Sequence, residues 1–190
     1  SDLERKIAKF YKDVSNLEHD ALTTLLSRGA AERLLAGKTL AEPLSMILVD
    51  VDHFKRVNDT LGHHIGDEVL RNVALKIKTT VREKEIAVRW GGEEFVVLLR
   101  SITLENAQKI IDRFRTNVET HDFPQVGRVT VSVGFVSINA YEAPVIILGR
   151  ADQALYYAKS HGRNLACHYD ELVAKGLLTT IASNDTAEFF

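Results

Sequence analysis

The stretch Arg89-Trp90-Gly91-Gly92-Glu93-Glu94-Phe95 lies between two short apolar runs, at residues 85–88 and 95–99. Two adjacent glycines between two strands predict a tight hairpin, because glycine adopts a positive φ without a Cβ clash. Glu93 and Glu94 follow the turn, at a point where a re-entering strand usually carries threonine, valine or an aromatic residue. These carboxylates are either solvated charges at an exposed hairpin tip or oxygen ligands held at a rigid turn for a metal ion. The second interpretation requires another acidic group nearby.

A second acidic stretch meets this requirement. Residues 44–49 form a strand-like apolar run, and Asp50-Val51-Asp52-His53-Phe54-Lys55 follows it directly. Carboxylates at the end of a buried strand commonly present oxygens to a hard cation. Asp50 is therefore the expected partner of the hairpin carboxylates if the fold brings the two stretches together.

Length and composition are those of an ordinary globular protein. The chain has 190 residues, of which 45% are apolar and 26% are charged, so we expect one domain with a sizeable core. Its 24 basic and 26 acidic residues give a net charge of −2, which offers no support for binding to nucleic acid or to a membrane surface.

The expected location is cytoplasmic. The only cysteine, Cys167, cannot form an internal disulfide, which fits a reducing compartment, and we expect it in a packed strand. No apolar run approaches the roughly 18 residues that a membrane-spanning helix needs. The chain starts at Ser1 and runs directly into a helical pattern. We therefore expect a cytoplasmic piece of a longer protein, which could be membrane-anchored, with an upstream sensory or regulatory domain.

Three parts are predicted along the chain: an N-terminal linker helix over 1–17, a folded body over 18–170 and a C-terminal tail over 171–190. The apolar residues of the helix follow the spacing of a heptad repeat. This pattern fits either a short coiled coil, which would imply dimerisation, or a terminal helix packed on the body. The tail is expected to be loosely held. The apolar positions of the helix are Leu3, Ile7, Phe10, Val14 and Leu17.

The pattern of the body predicts an α/β (α+β) fold with a βαββαβ, ferredoxin-like core. Helical patterns alternate with short strands around one hairpin, which favours a mostly antiparallel central sheet flanked by helices. In this topology the first two core strands run parallel with the third between them, so Asp50 would lie beside the Gly91-Gly92 turn. The predicted elements are helix 28–37, strand 44–51, a loop to residue 66, helix 67–81, strands 85–88 and 95–99, helix 103–119, strand 128–138, helix 144–161 and strand 165–169.

The shared edge of the sheet suggests a site for Mg²⁺. Two carboxylates repel each other unless a cation lies between them, and Mg²⁺ is usually bound through one or two carboxylates plus substrate phosphates. Asp50, Glu93 and a backbone carbonyl near Val51 form a suitable oxygen set. No cysteine and histidine grouping has the spacing of a zinc site.

Candidate phosphate-binding residues surround this edge. Lys55 and the backbone amides near Phe54 follow the strand end and could hold a phosphate tail. Lys159 and Arg163 are four residues apart and would line one face at the end of the last helix. Solvated cations placed favourably on the helix dipole would give the same pattern.

Candidate base-binding residues flank a glycine-containing loop: Asn58 and Asp67. A carboxylate accepts hydrogen bonds from adjacent N–H groups, such as the N1–H and amino group of guanine, which the corresponding edge of adenine does not offer. The alternative interpretations are a turn asparagine and an acidic residue favoured by a helix N-terminus.

Several short motifs follow one another in order over about residues 18–170. They are Asp20-Ala21-Leu22-Thr23, residues 50–55, Asn58-Asp59, Gly62-His63, Gly66-Asp67, residues 89–95, Ser132-Val133-Gly134, residues 151–156, Lys159 and Gly162-Arg163-Asn164. Together they resemble the GGDEF family, the catalytic domain of diguanylate cyclases, here as a GGEEF variant. The resemblance implies the nucleotide-cyclase form of the predicted core. It also implies condensation of two GTP into cyclic di-GMP with release of two pyrophosphates, in a homodimer whose subunits each bind one GTP.

The resemblance also implies roles for individual residues. Asp50, the Val51 carbonyl and Glu93 would hold two divalent ions per active site, Mg²⁺ or Mn²⁺, to activate the ribose 3′-hydroxyl and stabilise charge on the attacked α-phosphate. Asp50 and Glu93 would be the catalytic residues, with Glu93 assisting deprotonation. Asn58 and Asp67 would bind guanine, Phe54, Lys55, Lys159 and Arg163 would bind the phosphates, and Gly91, Gly92 and Glu94 would line the substrate pocket.

Two other functions fit the same motifs. A catalytically silent domain could bind GTP or cyclic di-GMP as a regulatory receptor. Such domains usually lose the hairpin carboxylate or the strand-end aspartate, and both are present here. A cyclase that forms a mononucleotide ring would share the two-metal chemistry and differ in its product.

Two positions depart from the family pattern. The family's product-inhibition site is an Arg-x-x-Asp shortly before the hairpin, and the corresponding residues here are Arg82 and Glu85, whose carboxylate reaches one methylene further. We predict weakened or absent product inhibition. Thr24 and Ser27 replace the usual glycine and asparagine of the early motif, which affects the local turn only.

Overall fold

The computed structural model describes residues 1–15, 18–37, 40, 43–83, 85–138 and 141–179. Within these ranges the chain forms one six-stranded mixed sheet with helices packed on both faces, and the predicted α/β core is confirmed. The strands are β1 (Leu26–Ser27), β2 (Leu44–Val51), β3 (Ile86–Arg89), β4 (Glu94–Arg100), β5 (Val131–Ile138) and β6 (Ala166–His168). The helices are α1 (Asp2–Ser15), α2 (Arg28–Leu35), α3 (Phe54–Leu61), α4 (His63–Thr80), α5 (Leu104–Thr120), α6 (Pro144–Ser160) and α7 (Tyr169–Ala174).

Strand β2 lies at the centre of the sheet, and all eight of its residues are buried. It pairs antiparallel with β4 on one side and with β5 on the other, and β3 pairs antiparallel with β4. The order across the sheet is β1-β3-β4-β2-β5-β6, so β2 and β3 run parallel with β4 between them, as predicted. In this register Asp50 lies opposite both Glu94 and Ser132.

Two apolar layers hold the helices against the sheet. Successive side chains of a strand point to opposite faces. In β2, Ile47 and Val49 join the layer that contains α4 and α5, whereas Met46 and Leu48 join the layer that contains α6. Removing apolar surface from water stabilises the fold by roughly 25 cal/mol per Å². Because β2 is anchored from both faces, the position of Asp50 near its end is fixed.

Helix α6 approaches the sheet closely at Gly134 of β5. A Cβ at this position would lie 2.2 Å from the Ala151 carbonyl oxygen and 2.3 Å from the Leu155 amide nitrogen, so no larger residue fits. This packing brings the C-terminal end of α6, with Lys159, to the end of β2 that carries Asp50.

The segment after β2 differs from the prediction. Instead of a loop to residue 66 and a helix from Asp67, the chain forms α3 and then α4, which starts at His63. Gly62 separates the two helices with a φ of +89°, which glycine adopts at little cost. Asp67 is thus the fifth residue of α4. The interpretation of Asp67 as a charge at a helix N-terminus is wrong.

Helix α1 (Asp2–Ser15) lies within the predicted N-terminal segment. Its Leu3 and Ile7 are 65% and 47% exposed, so these two side chains do not pack on the body. Leu17, the last position of the heptad pattern, lies outside the described residues, as do the side chains of Phe10 and Val14. None of the helices in the described part of the chain is long and apolar enough to cross a membrane.

The start of the predicted tail was wrong. Helix α7 packs Tyr169 and Leu172 into the layer that contains α6, so the chain is well held through residue 174. The last strand is shortened accordingly and ends at His168. Residues 180–190, the remainder of the predicted tail, lie outside the described residues.

Candidate active site

Asp50 lies at the end of β2 with 6% of its surface exposed. The Lys159 ammonium donates a hydrogen bond to its Oδ2 over 2.7 Å. Burial raises the pKa of Asp50, the Lys159 contact opposes this rise, and the nearby carboxylates of Glu93 and Asp52 add to it. The carboxylate is therefore in a crowded negative environment that Lys159 offsets in part.

The hairpin brings Glu93 to the same edge. The Val51 amide donates to the Glu93 carbonyl oxygen over 3.2 Å, so the main chains of two predicted ligands are directly hydrogen-bonded. The turn closes with a bond from the Trp90 amide to the Glu94 carbonyl oxygen at 2.8 Å. The structure thus places Asp50, Val51 and Glu93 together at one edge of the sheet, where the predicted topology would put them.

The two glycines of the turn serve a different purpose from the one predicted. Neither Gly91 nor Gly92 has a positive φ, and the connection between β3 and β4 spans four residues, 90–93. A Cβ at Gly91 would lie 3.0 Å from Glu94 Oε2, so glycine leaves room for that side chain to fold back over the turn. A Cβ at Gly92 would meet no described atom within 4 Å, which leaves the tip open.

Glu94 and Asp152 complete a cluster of carboxylates. Burial raises the pKa of Glu94, and the Asp50 carboxylate raises it further. Burial also raises the pKa of Asp152. The Lys159 ammonium lowers the pKa of both groups and so opposes both rises. A divalent cation fits this donor set because it would neutralise charge that Lys159 offsets only in part. Among the described residues, no group of three or more histidine, cysteine, aspartate or glutamate side chains forms a ready-made metal site. Mg²⁺ usually binds one or two carboxylates and takes its other ligands from substrate and water.

Asn58 and Asp67 lie on the two helices that form the corner between α3 and α4. Asn58 projects over Gly66, where a Cβ would lie 1.9 Å from Asn58 Oδ1. That oxygen is buried and has no hydrogen-bond partner within the described chain. An unpaired buried acceptor costs about 1–3 kcal/mol, so a donor that reached this oxygen would relieve that cost. Asp67 follows Gly66 directly and is half-buried.

The amides of Phe54 and Lys55 open helix α3. His53 precedes them with a φ of +56° and supplies no side-chain cap. Neither amide donates a hydrogen bond to any part of the chain that the structure describes. Free N–H groups and the helix dipole favour an anion at such an N-terminus. The Lys55 side chain is exposed.

Lys159 and Arg163 do not share one helix face, so that prediction was wrong. Helix α6 ends two residues before Gly162, which has a φ of +107° and is the C′ residue of the helix. Arg163 follows with a φ of +61°, and its amide donates to the Ala158 carbonyl oxygen over 3.0 Å. This is the helix end of a Schellman motif. Lys159 therefore lies on the last turn of the helix, whereas Arg163 lies in the turn beyond it.

A family model described as "Diguanylate cyclase, GGDEF domain" matches residues 17–165. The chain belongs to the GGDEF family. The resemblance inferred from the motifs is thereby confirmed.

Three curated relatives show the extent of the similarity. The response regulator PleD of Caulobacter vibrioides is 41% identical over 169 residues, which cover 79% of this chain and 37% of PleD. Diguanylate cyclase A of Treponema denticola is 42% identical over 127 residues, 65% of this chain and 34% of that protein. Diguanylate cyclase DgcM of Escherichia coli is 36% identical over 151 residues, 77% of this chain and 37% of that protein. The chain thus spans about a third of the length of these relatives.

Solved GGDEF domains share the fold. The GGDEF domain of DgcB from Caulobacter crescentus in complex with c-di-GMP superposes with a TM-score of 0.72 at 31% identity, covering 80% of this chain and 95% of that one. The active GGEEF domain of a diguanylate cyclase from Vibrio cholerae has a TM-score of 0.64 at 34% identity, covering 75% and 89%.

The GGDEF hairpin of this chain is braced by Arg89. Its Nη1 donates to both carboxylate oxygens of Asp20, at 3.1 and 3.3 Å, and its Nη2 donates to the Gly92 carbonyl oxygen at 3.0 Å. Asp20 also accepts from the Thr23 amide and hydroxyl, at 2.8 and 2.7 Å. Sequence reasoning included Asp20 and Arg89 among the motifs but gave neither a role. Their opposite charges, at two fixed motif positions, were the available signal.

At the position of the family's product-inhibition site, the Glu85 side chain of this GGDEF domain points into the protein. The Glu85 side chain is 0% exposed, and its Oε2 accepts from the Arg100 amide over 3.0 Å. Its Oε1 lies 2.5 Å from Arg82 Nη2, which also donates to the Arg100 carbonyl oxygen over 3.0 Å. Both side chains thus bond the main chain at the end of β4, and the Glu85 carboxylate faces the protein rather than solvent.

Proposed function

We propose that this domain is a diguanylate cyclase that condenses two GTP into cyclic di-GMP and two pyrophosphates. The observation that carries the proposal is the junction of Asp50 with Glu93, held by the hydrogen bond between the Val51 amide and the Glu93 carbonyl oxygen. Candidate base-binding and phosphate-binding groups lie on the elements next to this junction, at the α3–α4 corner and at the end of α6. Family membership, with relatives that carry the name diguanylate cyclase, supports the same activity.

The corner between α3 and α4 binds guanine in this proposal. The unpaired Asn58 Oδ1 accepts from the exocyclic amino group, and the Asp67 carboxylate accepts from the N1–H and the amino group. Adenine would face the Asp67 carboxylate with a ring-nitrogen acceptor in place of the N1–H. A site built to bond an N–H discriminates strongly against a ligand that lacks it.

Four residues around the strand edge bind the phosphates. The amides of Phe54 and Lys55 point at an anion from the start of α3, and the exposed Lys55 ammonium adds a positive charge. Lys159 and Arg163 supply two further cations at the end of α6. Arg163 offers a planar set of donors that matches phosphate oxygens, whereas a lysine acts as a point charge.

Asp50, the Val51 carbonyl and Glu93 hold divalent cations in this proposal, Mg²⁺ or Mn²⁺, two per active site. When bound, these ions supply activation of the ribose 3′-hydroxyl and stabilisation of charge on the α-phosphate. Glu93, at the open tip of the hairpin, takes the 3′-hydroxyl proton as the 3′-oxygen bonds to the α-phosphorus of the other GTP. The bond from that phosphorus to the bridging oxygen of the β-phosphate breaks, and pyrophosphate leaves. The same reaction with the two nucleotides exchanged closes the ring.

Catalysis requires a homodimer, because each domain holds one GTP and the two nucleotides must face each other. The exposed Leu3 and Ile7 of α1 fit a pair of helices that joins the domains to an upstream sensory or regulatory domain. We place the domain in the cytoplasm, where its substrate is found.

The direct test is to incubate the protein with GTP and Mg²⁺ and to quantify cyclic di-GMP and pyrophosphate. Two pyrophosphates are expected per cyclic di-GMP. Glu93→Gln and Asp50→Asn should each lower the rate at least about 100-fold. Glu105→Gln is the matched control, because Glu105 is an exposed carboxylate on α5 that pairs only with Lys109 in the described chain. Binding of GTP without product would indicate a silent receptor domain, and a mononucleotide ring as product would also overturn the proposal.

A further inference from the structure

Asp52 stands two residues after Asp50, but its surroundings are different. It is 5% exposed, and both of its oxygens are occupied. Oδ1 accepts from the Ser132 hydroxyl at 2.6 Å, and Oδ2 accepts from the Thr130 hydroxyl at 2.7 Å and from the Asn164 amide at 3.0 Å. An ionised carboxylate only accepts hydrogen bonds, and three donors use most of its capacity. Asp52 is therefore built to hold protein groups rather than a ligand.

The Asn164 amide belongs to the turn that carries Arg163. Three consecutive residues of this turn, Gly162, Arg163 and Asn164, have positive φ, at +107°, +61° and +48°. Positive φ is unfavourable for residues with a Cβ and persists where the surrounding structure enforces it. A turn of this kind needs anchors on the body of the protein.

The turn is anchored on two sides. On one side, Asp52 holds the Asn164 amide. On the other side, the Asn164 side chain accepts from Arg115 Nη1 over 2.9 Å and donates to Glu119, both on α5. The end of β2 and helix α5 thus clamp the main chain directly after Arg163.

We propose that Asp52 is a positioning residue for Arg163. Through the Asn164 amide it fixes the left-handed turn against the end of β2, so that the Arg163 guanidinium is held toward the triphosphate. The guanidinium itself makes no hydrogen bond or ion pair to any described residue, so it is free for a ligand. The inference rests on the proposed function, because Arg163 needs a phosphate to bind.

The test measures binding of 3′-deoxy-GTP, which keeps the triphosphate but lacks the hydroxyl that reacts, against binding of GMP, both by calorimetry with Mg²⁺. Asp52→Asn should weaken 3′-deoxy-GTP about tenfold, the effect of losing one well-placed charged contact, and should leave GMP within about twofold. Ser132→Ala is the matched control, since it removes one bond to Asp52 and leaves the Asn164 amide bond in place. Its two affinities should match those of the unmodified protein.

A double-mutant cycle separates positioning from a general loss of structure or charge. In an Arg163→Ala background, Asp52→Asn should cost less than about twofold in 3′-deoxy-GTP affinity, because its effect acts through Arg163. Additive effects, or equal losses of affinity for 3′-deoxy-GTP and GMP, would overturn the proposal.

If Asp52→Asn does not fold, Asn164→Ala loosens the same turn from the α5 side and should show the same selective loss of 3′-deoxy-GTP affinity. A folded Asn164→Ala with unchanged 3′-deoxy-GTP affinity would likewise overturn it. If the unmodified protein does not bind 3′-deoxy-GTP, the proposed function itself fails.

Discussion

Replacing Gly66 with alanine should impair recognition of guanine without removing any group that we assign to the nucleotide. The added Cβ would lie 1.9 Å from Asn58 Oδ1 and 3.2 Å from the tip of the Phe54 ring. The Phe54 contact needs only a small shift. The Asn58 contact is impossible, since Cβ atoms do not approach other heavy atoms within 3.0 Å, and the oxygen must retreat by about 1 Å.

A retreat of this size removes the hydrogen bond that we assign to the guanine amino group. A neutral hydrogen bond contributes about 0.5–1.5 kcal/mol, and 1.4 kcal/mol is tenfold in affinity, so KM for GTP should rise about two- to tenfold. The preference for GTP over ATP should fall by a similar factor. The turnover number should change less, because the carboxylates at the sheet edge are not displaced.

Steady-state cyclic di-GMP formation with GTP, alone and in competition with ATP, measures both effects. Asp67→Asn is the positive control for lost guanine recognition. Gly29→Ala on α2 is the matched glycine control, because its Cβ would meet only the flexible end of Arg33 at 3.4 Å. In an Asn58→Ala background, which removes the clashing oxygen, Gly66→Ala should add no further rise in KM. An unchanged KM and selectivity in a folded Gly66→Ala variant would refute the assignment of Asn58 to guanine.

Three further outcomes are expected. Glu94→Gln should raise the unfolding temperature at pH 8, because burial and the Asp50 carboxylate raise the pKa of Glu94 and its ionised form costs stability above that pKa. In unfolding scans the gain should shrink as the pH falls through the raised pKa and vanish below the ordinary pKa of a glutamate, and a gain independent of pH would contradict this. Cyclic di-GMP should inhibit the enzyme only weakly, and the Arg82→Ala variant should give the same inhibition curve as the unmodified protein. Tight product binding that this variant abolishes would show that a working inhibition site exists. Specific activity should fall on dilution, because the active site needs two subunits. The double variant Leu3→Asp, Ile7→Asp should show this fall at protein concentrations about tenfold higher or more. Its unfolding temperature should not be lowered, because both residues are exposed. An identical dilution curve would exclude α1 from the dimer.

The sheet was predictable because local and topological signals agree. The apolar run of β2, the hairpin and the helix-length crossover allow few arrangements, and these place Asp50 beside the hairpin turn. Helix α3 was missed because an eight-residue helix is marginal by itself and depends on tertiary packing. Burial of Phe54 supplies that packing. Gly62, His63 and His64, which follow α3, are typical of a loop. In the structure Gly62 only turns the chain from one helix into the next.

The sequence indicated which charged residues belong to the site, but not which of them contact each other. Lys159 was expected to bind phosphate, and the structure shows it on Asp50, 109 residues earlier in the chain. The glycines of the turn were expected to supply positive φ, whereas Gly91 gives space to the Glu94 side chain. Sequence spacing reports which residues are neighbours along the chain. The contact between α6 and the sheet, which depends on the missing side chain of Gly134, decides which charges meet.

Asp50 and Asp52 show most clearly where sequence reasoning ends. Both are buried aspartates of one short motif, and nothing in the pattern of the motif separates a ligand-binding carboxylate from a structural one. The structure separates them by their donors. Asp52 receives three hydrogen bonds, from groups 78 to 112 residues away, and none of these donors is a mobile cation. Asp50 receives one from a lysine, which in the proposed function would bind a substrate oxygen while the carboxylate binds a metal ion. A carboxylate saturated by hydroxyl and amide donors supports the site, whereas one that holds only an exchangeable partner is available for chemistry.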